Sequence, residues 1–238
     1  MAVARDNGIE LAKKRNFNCS FTLYDVSRPI YPGMLVWKDK PEKGPSFITS
    51  RDYPRETRLS LDSHTGTHVD APLHMIVGGA STSQVAAERF VGECRVVDLT
   101  HVQERITRAD LESIHATDPF VPQEFVLLKT RNSWQITPPF DPHFVFLAQD
   151  AAEFLAARDV RGVGIDSLGI ERDQPDHPSH RRLLAAGIAI IEGLYLARVP
   201  AGRYFLVAAP LPLVGVDAAP ARAFLLRFHE SRRKGDLP

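Results

Sequence analysis

The chain is poor in cysteine: Cys19 and Cys94 are the only two in 238 residues, far apart and in no C-x-x-C pair. That argues against a thiolate zinc site and a disulfide scaffold, and it fits a reducing cytoplasm. An excess of either charge is also missing, because 29 Lys plus Arg balance 29 Asp plus Glu. Without a basic field, neither nucleic acid nor an anionic membrane surface is an expected partner. The longest apolar run, FLVAAPLPLVGV, is too short to span a bilayer and contains two prolines. Lys13, Lys14 and Arg15 are followed by no apolar stretch, so no secretory leader is expected.

Several catalytic signatures are absent too. The sequence contains no G-x-S-x-G elbow, no H-E-x-x-H helix and no G-x-x-x-x-G-K-[ST] loop. GVGIDS has two glycines spaced like a dinucleotide fingerprint but lacks the third, and prolines follow it; it reads as a buried strand of small residues. Ser167, His180 and Asp166 make a serine triad arithmetically, but adjacent Asp and Ser seldom give triad geometry.

What remains is an ordinary globular composition, 44% hydrophobic and 24% charged. We expect one domain over residues 1–238, with a polar N-terminal extension (1–18) and a charged tail (229–238). CRVVDL, FVLLKT, FVFLA, GVGID, IAIIEG and YFLVAAP are short apolar, often β-branched runs and are predicted strands of a covered sheet. Helical patterns interleave with them: TRADLESIH, with Thr107 and Asp110 spaced as a capping box, then AQDAAEFLAARD, then PSHRRLLAAG with Gly187 as its stop. The class is therefore α/β. RPIYPGMLVWKDKPEKGP, with four prolines, is a long irregular loop. TRLSLDSH alternates as a half-buried strand does and runs into the most informative segment.

That segment is HTGTHVDAPLH, residues 64–74, which holds three of the chain's nine histidines and an aspartate. Ligands bonded at about 2.1 Å to one ion must lie within roughly 3–4 Å of one another. A helix would put His64 and His68 on one face but turn Asp70 away, and Pro72 disfavours helix at Ala71. A straight strand would hold the two histidines about 13 Å apart. Only a bent path brings His64, His68 and Asp70 together, and Gly66, free to take positive φ, stands where the bend is needed. Imidazole and carboxylate suit zinc, manganese or iron, and three such ligands leave coordination positions open, as catalytic sites do. The competing reading is a polar turn whose histidines bond to neighbouring backbone.

His74 is left over and is a candidate general acid or base, or a fourth ligand. Glu192 ends the apolar run IAIIEG, where a carboxylate either finds a partner or a metal, or emerges into solvent. His180 opens a predicted helix just before that strand, and His177 competes with it. Asp98 and Asp166 also end apolar runs, and we leave both outside the site.

The pattern H-x-G-T-H-x-D-x-P-x-H, met in full here, resembles the signature of the cyclase family of metal-dependent hydrolases, with its kynurenine formamidase and isatin hydrolase branches. LYDVSRPIYPG, HRRLLAAGIAIIEGLYL and AGRYFLVAAPLPLVGVDAAPARAFLL are similar to that family as well. The resemblance implies a swivelling β/β/α-type domain of mixed sheet with flanking helices, forming a homodimer in which the N-terminal segment crosses to the partner. It implies one metal on His64, His68 and Asp70, and a second sharing Asp70 with His180 and Glu192. The metal would be Zn2+ or Mn2+, and the isatin-hydrolase branch implies a single manganese on the first triad. It implies His74 as the proton-transfer residue and Trp37 as an aromatic substrate contact. The implied reaction is hydrolysis of a C–N amide bond in a small aromatic N-acyl or cyclic amide; alternatives are a lactone hydrolase, a lyase and a member that only binds metal or a small molecule. Lys38, Asp39 and Lys40 replace the Pro-Gly-Asp usual after that tryptophan, Leu168 to Glu171 replace a Ser-x-Asp-Pro loop, and EGLYL replaces E-N-L-D-L. These departures bear on substrate contacts rather than on the metal-ligand pattern.

Overall fold

The structure is a computed structural model that describes residues 20–229; the N-terminal extension, Cys19 and all of the tail but His229 lie outside the described residues. In chain order the elements are β1 (Ser20–Asp25), β2 (Ser46–Thr49), β3 (Thr57–Ser60), β4 (His68–Asp70), β5 (Val91–Asp98), β6 (Arg105–Ile106) and α1 (Arg108–Thr117). They continue with β7 (Phe125–Lys129), β8 (Phe146–Leu147), α2 (Gln149–Ala156), β9 (Gly162–Ile165), α3 (Pro178–Ala185), β10 (Ala189–Glu192), β11 (Gly202–Pro210) and β12 (Ala218–His229). The main sheet runs β1-β12-β11-β5-β7-β9-β10-β4, and β4 also pairs with β12. Seven strands thus close into a barrel, with β1 added outside on β12. Strands β5, β7, β9 and β10 are mutually parallel, and the other pairings are antiparallel. This is the expected α/β class with a mixed sheet.

Side chains on successive strand residues point to opposite faces, so a strand covered on both sides must be apolar throughout. β7 shows the consequence. Phe125 and Leu127 enter a cluster with Leu206, Leu225 and Ile191 inside the barrel, while Val126 and Leu128 join Phe154, Leu155 and Leu183 under the helices. Burying each such side chain stabilises the fold by roughly 1.5–3 kcal/mol. The glycines of β9 make room for this. A Cβ at Gly162 would lie 2.5 Å from the Phe125 ring, and one at Gly164 would lie 2.5 Å from Leu127. GVGID is therefore the small-residue strand the sequence indicated.

The helices end where their caps predict. Thr107 and Asp110 form the reciprocal capping box of α1. Pro178 occupies the first turn of α3, and beyond its end Gly187 sits at φ +71°. Two strand expectations are corrected. β3 is not half-buried: all four residues are exposed, because it pairs only with β2 in a two-stranded ribbon. FVFLA contributes only Phe146–Leu147, paired with β6 apart from the main sheet. Residues 28–45 form the irregular loop foreseen, with two single 3-10 turns at Trp37–Asp39 and Pro41–Lys43. Among the described residues no helix is long and apolar enough to cross a membrane.

Candidate active site

The chain path through residues 62–74 creates the site. His64 N–H bonds Asp62 Oδ1 at 2.9 Å, which starts a turn, and Gly66 continues it at φ +66°. Gly193, also at φ +66°, lies against Gly66 so closely that a Cβ there would be 2.2 Å from the Gly66 carbonyl oxygen. Thr67 fastens the crossing by donating to Gly193 O (2.6 Å) and accepting from Arg28 N–H (2.8 Å). The bend brings the His64 and His68 ring centres to 4.9 Å, far inside the separation a straight strand would impose.

β4 then closes the barrel and orients three side chains. Val69 points into the barrel core, so His68 and Asp70 face the opposite way. The β4–β10 register sets His68 directly opposite Glu192. Pro72 opens a 3-10 turn that carries His74 back, 4.4 Å from His64 between ring centres. The site lies at the carboxyl end of β10, which runs parallel to β9.

Hydrogen bonds fix which nitrogen each imidazole turns inward. His68 Nδ1 bonds Gly66 O at 2.9 Å, so its Nε2 faces Glu192 Oε2 (3.2 Å) and Asp70 Oδ1 (3.7 Å). His180 Nδ1 bonds Glu171, so its Nε2 faces Glu192 Oε1 (3.3 Å) and Asp70 Oδ2 (3.7 Å). His64 Nε2 bonds Asp217 at 3.0 Å, leaving Nδ1 against Asp70 Oδ1 at 3.2 Å. A neutral imidazole that donates from one nitrogen has only a lone pair on the other. Three lone pairs therefore converge on two carboxylates, acceptor facing acceptor. Both Asp70 oxygens and His68 Nε2 are buried without a hydrogen-bond partner. A positive charge would complete this arrangement, and the nitrogen and oxygen donors fit a divalent cation. His64, His68, Asp70 and Glu192 offer ligand atoms within 4.8 Å of one another, as do Asp70, His74 and His180.

The facing carboxylates also set the direction of the titration shifts. Burial pushes His64 down, but the hydrogen bond to Asp217, the Asp70 carboxylate 3.2 Å away and the charge of Glu192 outweigh it and raise the ring to about 10. His180 is likewise pushed down by burial and then raised to about 10 by Glu171, Glu192 and Asp70. Burial raises Glu192, yet His180 and His68 hold it well below the usual carboxylate range. The carboxylates that face these rings favour their protonated form.

The structure brings together every residue of the expected metal set: His64, His68, Asp70, His180 and Glu192. His177 is half exposed, its Nδ1 3.9 Å from Glu171, and it does not reach Asp70. Trp37 lines a cavity of about 540 Å³ that opens onto the histidines. Its ring packs edge-on against Phe140 (5.1 Å) and Phe144 (5.7 Å), and a Cβ on Gly169 would come within 2.7 Å of it. Lys38 lines the same cavity, paired with Asp173 at 2.6 Å, whereas Asp39 accepts from Phe140 N–H. The serine triad fails: Ser167 Oγ donates to Gly169 O, Asp166 accepts from Thr130 and Ser133, and His180 bonds Glu171 instead. Asp98 caps Thr100 and stays outside.

Two contributors escaped the sequence reading. Glu171, 3% exposed, accepts from the Ser179 and His180 backbone N–H groups and from His180 Nδ1, so it caps α3 and orients the ring together. Asp217 accepts from His64 and His74. The only sequence signals were a glutamate just upstream of the helix bearing His180 and an aspartate ending the apolar run VGV.

A family profile described as putative cyclase matches residues 24–172. Kynurenine formamidase of Salinibacter ruber is 36% identical over 208 residues, which cover 85% of this chain and 96% of that enzyme. The solved structure of a potential metal-dependent hydrolase with cyclase activity is 51% identical, with a TM-score of 0.81 over 89% of this chain and 100% of the other. Isatin hydrolase A from Ralstonia solanacearum superposes with a TM-score of 0.77 over 87% of this chain and 92% of its own, at 23% identity, a likeness of fold.

Proposed function

This chain belongs to the putative cyclase family, and from that premise we propose that it is a metal-dependent hydrolase of the C–N amide bond in a small aromatic N-acyl amide. The observation that carries the reading is the convergence of three imidazole lone pairs on Asp70 and Glu192, with both Asp70 oxygens buried and orphaned. His64, His68 and Asp70 would hold one ion, and Asp70, His180 and Glu192 a second. The donor set suits Zn2+ or Mn2+. A divalent ion there supplies acidity to water and positive charge for the developing oxyanion. The protein's own groups do the rest. Trp37 and the loop at Leu168–Gly169 wall an aromatic body beside the histidines. His74 is oriented by Asp217 and moves the proton to the leaving nitrogen.

The formamidase-like substrate is favoured because the sequence is 36% identical to a kynurenine formamidase, whereas the isatin hydrolase likeness is one of fold at 23%. A cyclic amide is the second reading, supported by that fold. We also propose a cytoplasmic homodimer. Cys94 is a free, buried thiol, and the outer edge of the sheet exposes Phe21, Leu23 and Phe228.

The test is elemental analysis of the purified protein, with N-formylkynurenine, formanilide and isatin assayed before chelation, after it, and after metal return. We expect activity to vanish with the metal and to come back with it. Undiminished turnover by metal-free protein would end the reading.

A further inference from the structure

We infer that Asp217 is the positioning residue of the proton-transfer step, holding His74 in one tautomer and tying it to His64; this rests on the hydrolytic reading above. The barrel itself places Asp217. Its neighbour Ala218 pairs with Asp70 where β12 meets β4, and the Asp217 carbonyl accepts from Ala71 N–H at 2.8 Å. Two backbone connections therefore fix its Cα beside the site. Its carboxylate accepts three bonds: Ser63 Oγ on Oδ1 at 3.1 Å, and both His64 Nε2 (3.0 Å) and His74 Nδ1 (3.2 Å) on Oδ2.

The shared oxygen decides the chemistry of His74. A carboxylate only accepts, so His74 Nδ1 must carry the hydrogen, and Nε2 is the nitrogen left to exchange protons with substrate. A ring nitrogen of His74 lies within 4.8 Å of ligand atoms on Asp70 and His180. In the reaction, water adds to the amide carbonyl carbon while its proton passes to His74 Nε2. The C–N bond then breaks as that proton passes to nitrogen, which leaves as a neutral amine with the bonding pair, and the carbonyl fragment becomes the acid. Asp217 stabilises the imidazolium between these two transfers, and the same oxygen steadies His64, the ring 4.4 Å away.

A carboxylate that only supported metal binding through His64 would affect every substrate alike. A positioner of the acid affects most the substrates whose leaving amine needs a proton. Asp217→Ala and Asp217→Asn of the full, zinc-loaded chain are therefore compared with the parent on formanilide and on 4-nitroformanilide, whose nitroaniline departs with little help. For Asp217→Ala we expect kcat on formanilide to fall on the order of 100-fold, with KM little changed. On 4-nitroformanilide the fall should be about a tenth as large. Asp217→Asn keeps an acceptor oxygen and should recover part of the loss. Equal losses on the two anilides would overturn the assignment. Independently of turnover, long-range 1H–15N spectra of the zinc-loaded protein should show His74 as the Nδ1–H tautomer in the parent and not in Asp217→Ala. An Nε2–H His74 in the parent, or an unchanged one in Asp217→Ala, would also overturn it. A parent inert toward both anilides counts against the proposed substrate class, and the spectra still decide the role of Asp217.

Discussion

His68 and Glu192 stand directly opposite each other across the antiparallel β4–β10 ladder, and Nε2 of the one is 3.2 Å from Oε2 of the other. Sheet register, which core packing enforces, thus sets the distance between two candidate ligands. A one-residue slip would turn Val69 out of the barrel and His68 into it.

Glu192 reaches His68 with one oxygen and His180 with the other, so it belongs to both halves of the site. Glu192→Gln keeps the shape and removes the charge. Metal per chain after dialysis should fall by about half or more, and affinity for the remaining ion about 10- to 100-fold. Full retention by elemental analysis would show that Glu192 holds no ion.

The metal-free protein should respond to pH in a defined direction. His64 and His180 are raised from 6.5 to about 10 in the folded state. Each contributes stability that is fully present below pH 6.5 and is lost as pH rises through about 10. Glu192 and Asp217 are held low, so their contribution is present above the ordinary carboxylate range and is lost on strong acidification. The melting temperature of chelated protein should therefore decline from pH 6.5 to 10. Metal-loaded protein, in which a cation takes the place of the protons, should stay nearly level across that window.

What the sequence disclosed follows from how local each signal is. The bend in HTGTHVDAPLH is legible because Gly66, Pro72 and the ligand spacing lie within eleven residues. Glu192 announces itself by ending an apolar strand. Spacing did not separate His180 from His177. The left-handed φ of +50° at His177 does, by setting it before the helix while His180 falls inside the first turn. Asp217 was illegible because it meets His64 across 153 residues, through a β12–β4 pairing that a three-residue strand is too short to advertise. β3 misled because alternation implies a buried face only where another layer covers it, and among the described residues none does.

Glu171 accepts the His180 Nδ1 hydrogen and two backbone N–H groups at the start of α3. Glu171→Ala should weaken binding of an ion at His180 about 10- to 100-fold. It should also cost about 1 kcal/mol of helix capping. Metal titration and thermal melts of the metal-free variant separate the two effects; an unchanged metal affinity would leave Glu171 as a cap alone.

Gly193 and Gly187 test the close approach behind the site. Both have positive φ, but a Cβ on Gly193 would lie 2.2 Å from Gly66 O, whereas nothing lies within 4 Å of one on Gly187. Gly187→Ala should cost about 1–2 kcal/mol from backbone strain alone. Gly193→Ala adds a clash with unyielding backbone and should cost on the order of 3–5 kcal/mol, with loss of metal as Gly66 is displaced. Similar melting temperatures for the two variants would mean that the Gly66–Gly193 contact is looser than it stands here.

His74 separates catalysis from binding. Its ring is not among the three whose lone pairs meet Asp70 and Glu192 through a fixed tautomer, and its one hydrogen-bonded nitrogen faces Asp217. A protein that merely captured metal or a small molecule would have no use for a proton carrier held there. His74→Ala should therefore keep its metal, judged by elemental analysis, and keep its melting temperature within about 1–2 °C of the parent, since the ring is only partly buried. Hydrolysis of formanilide should fall by about 100- to 10,000-fold. Loss of metal in parallel with activity would instead make His74 a ligand, and full activity would remove it from the mechanism.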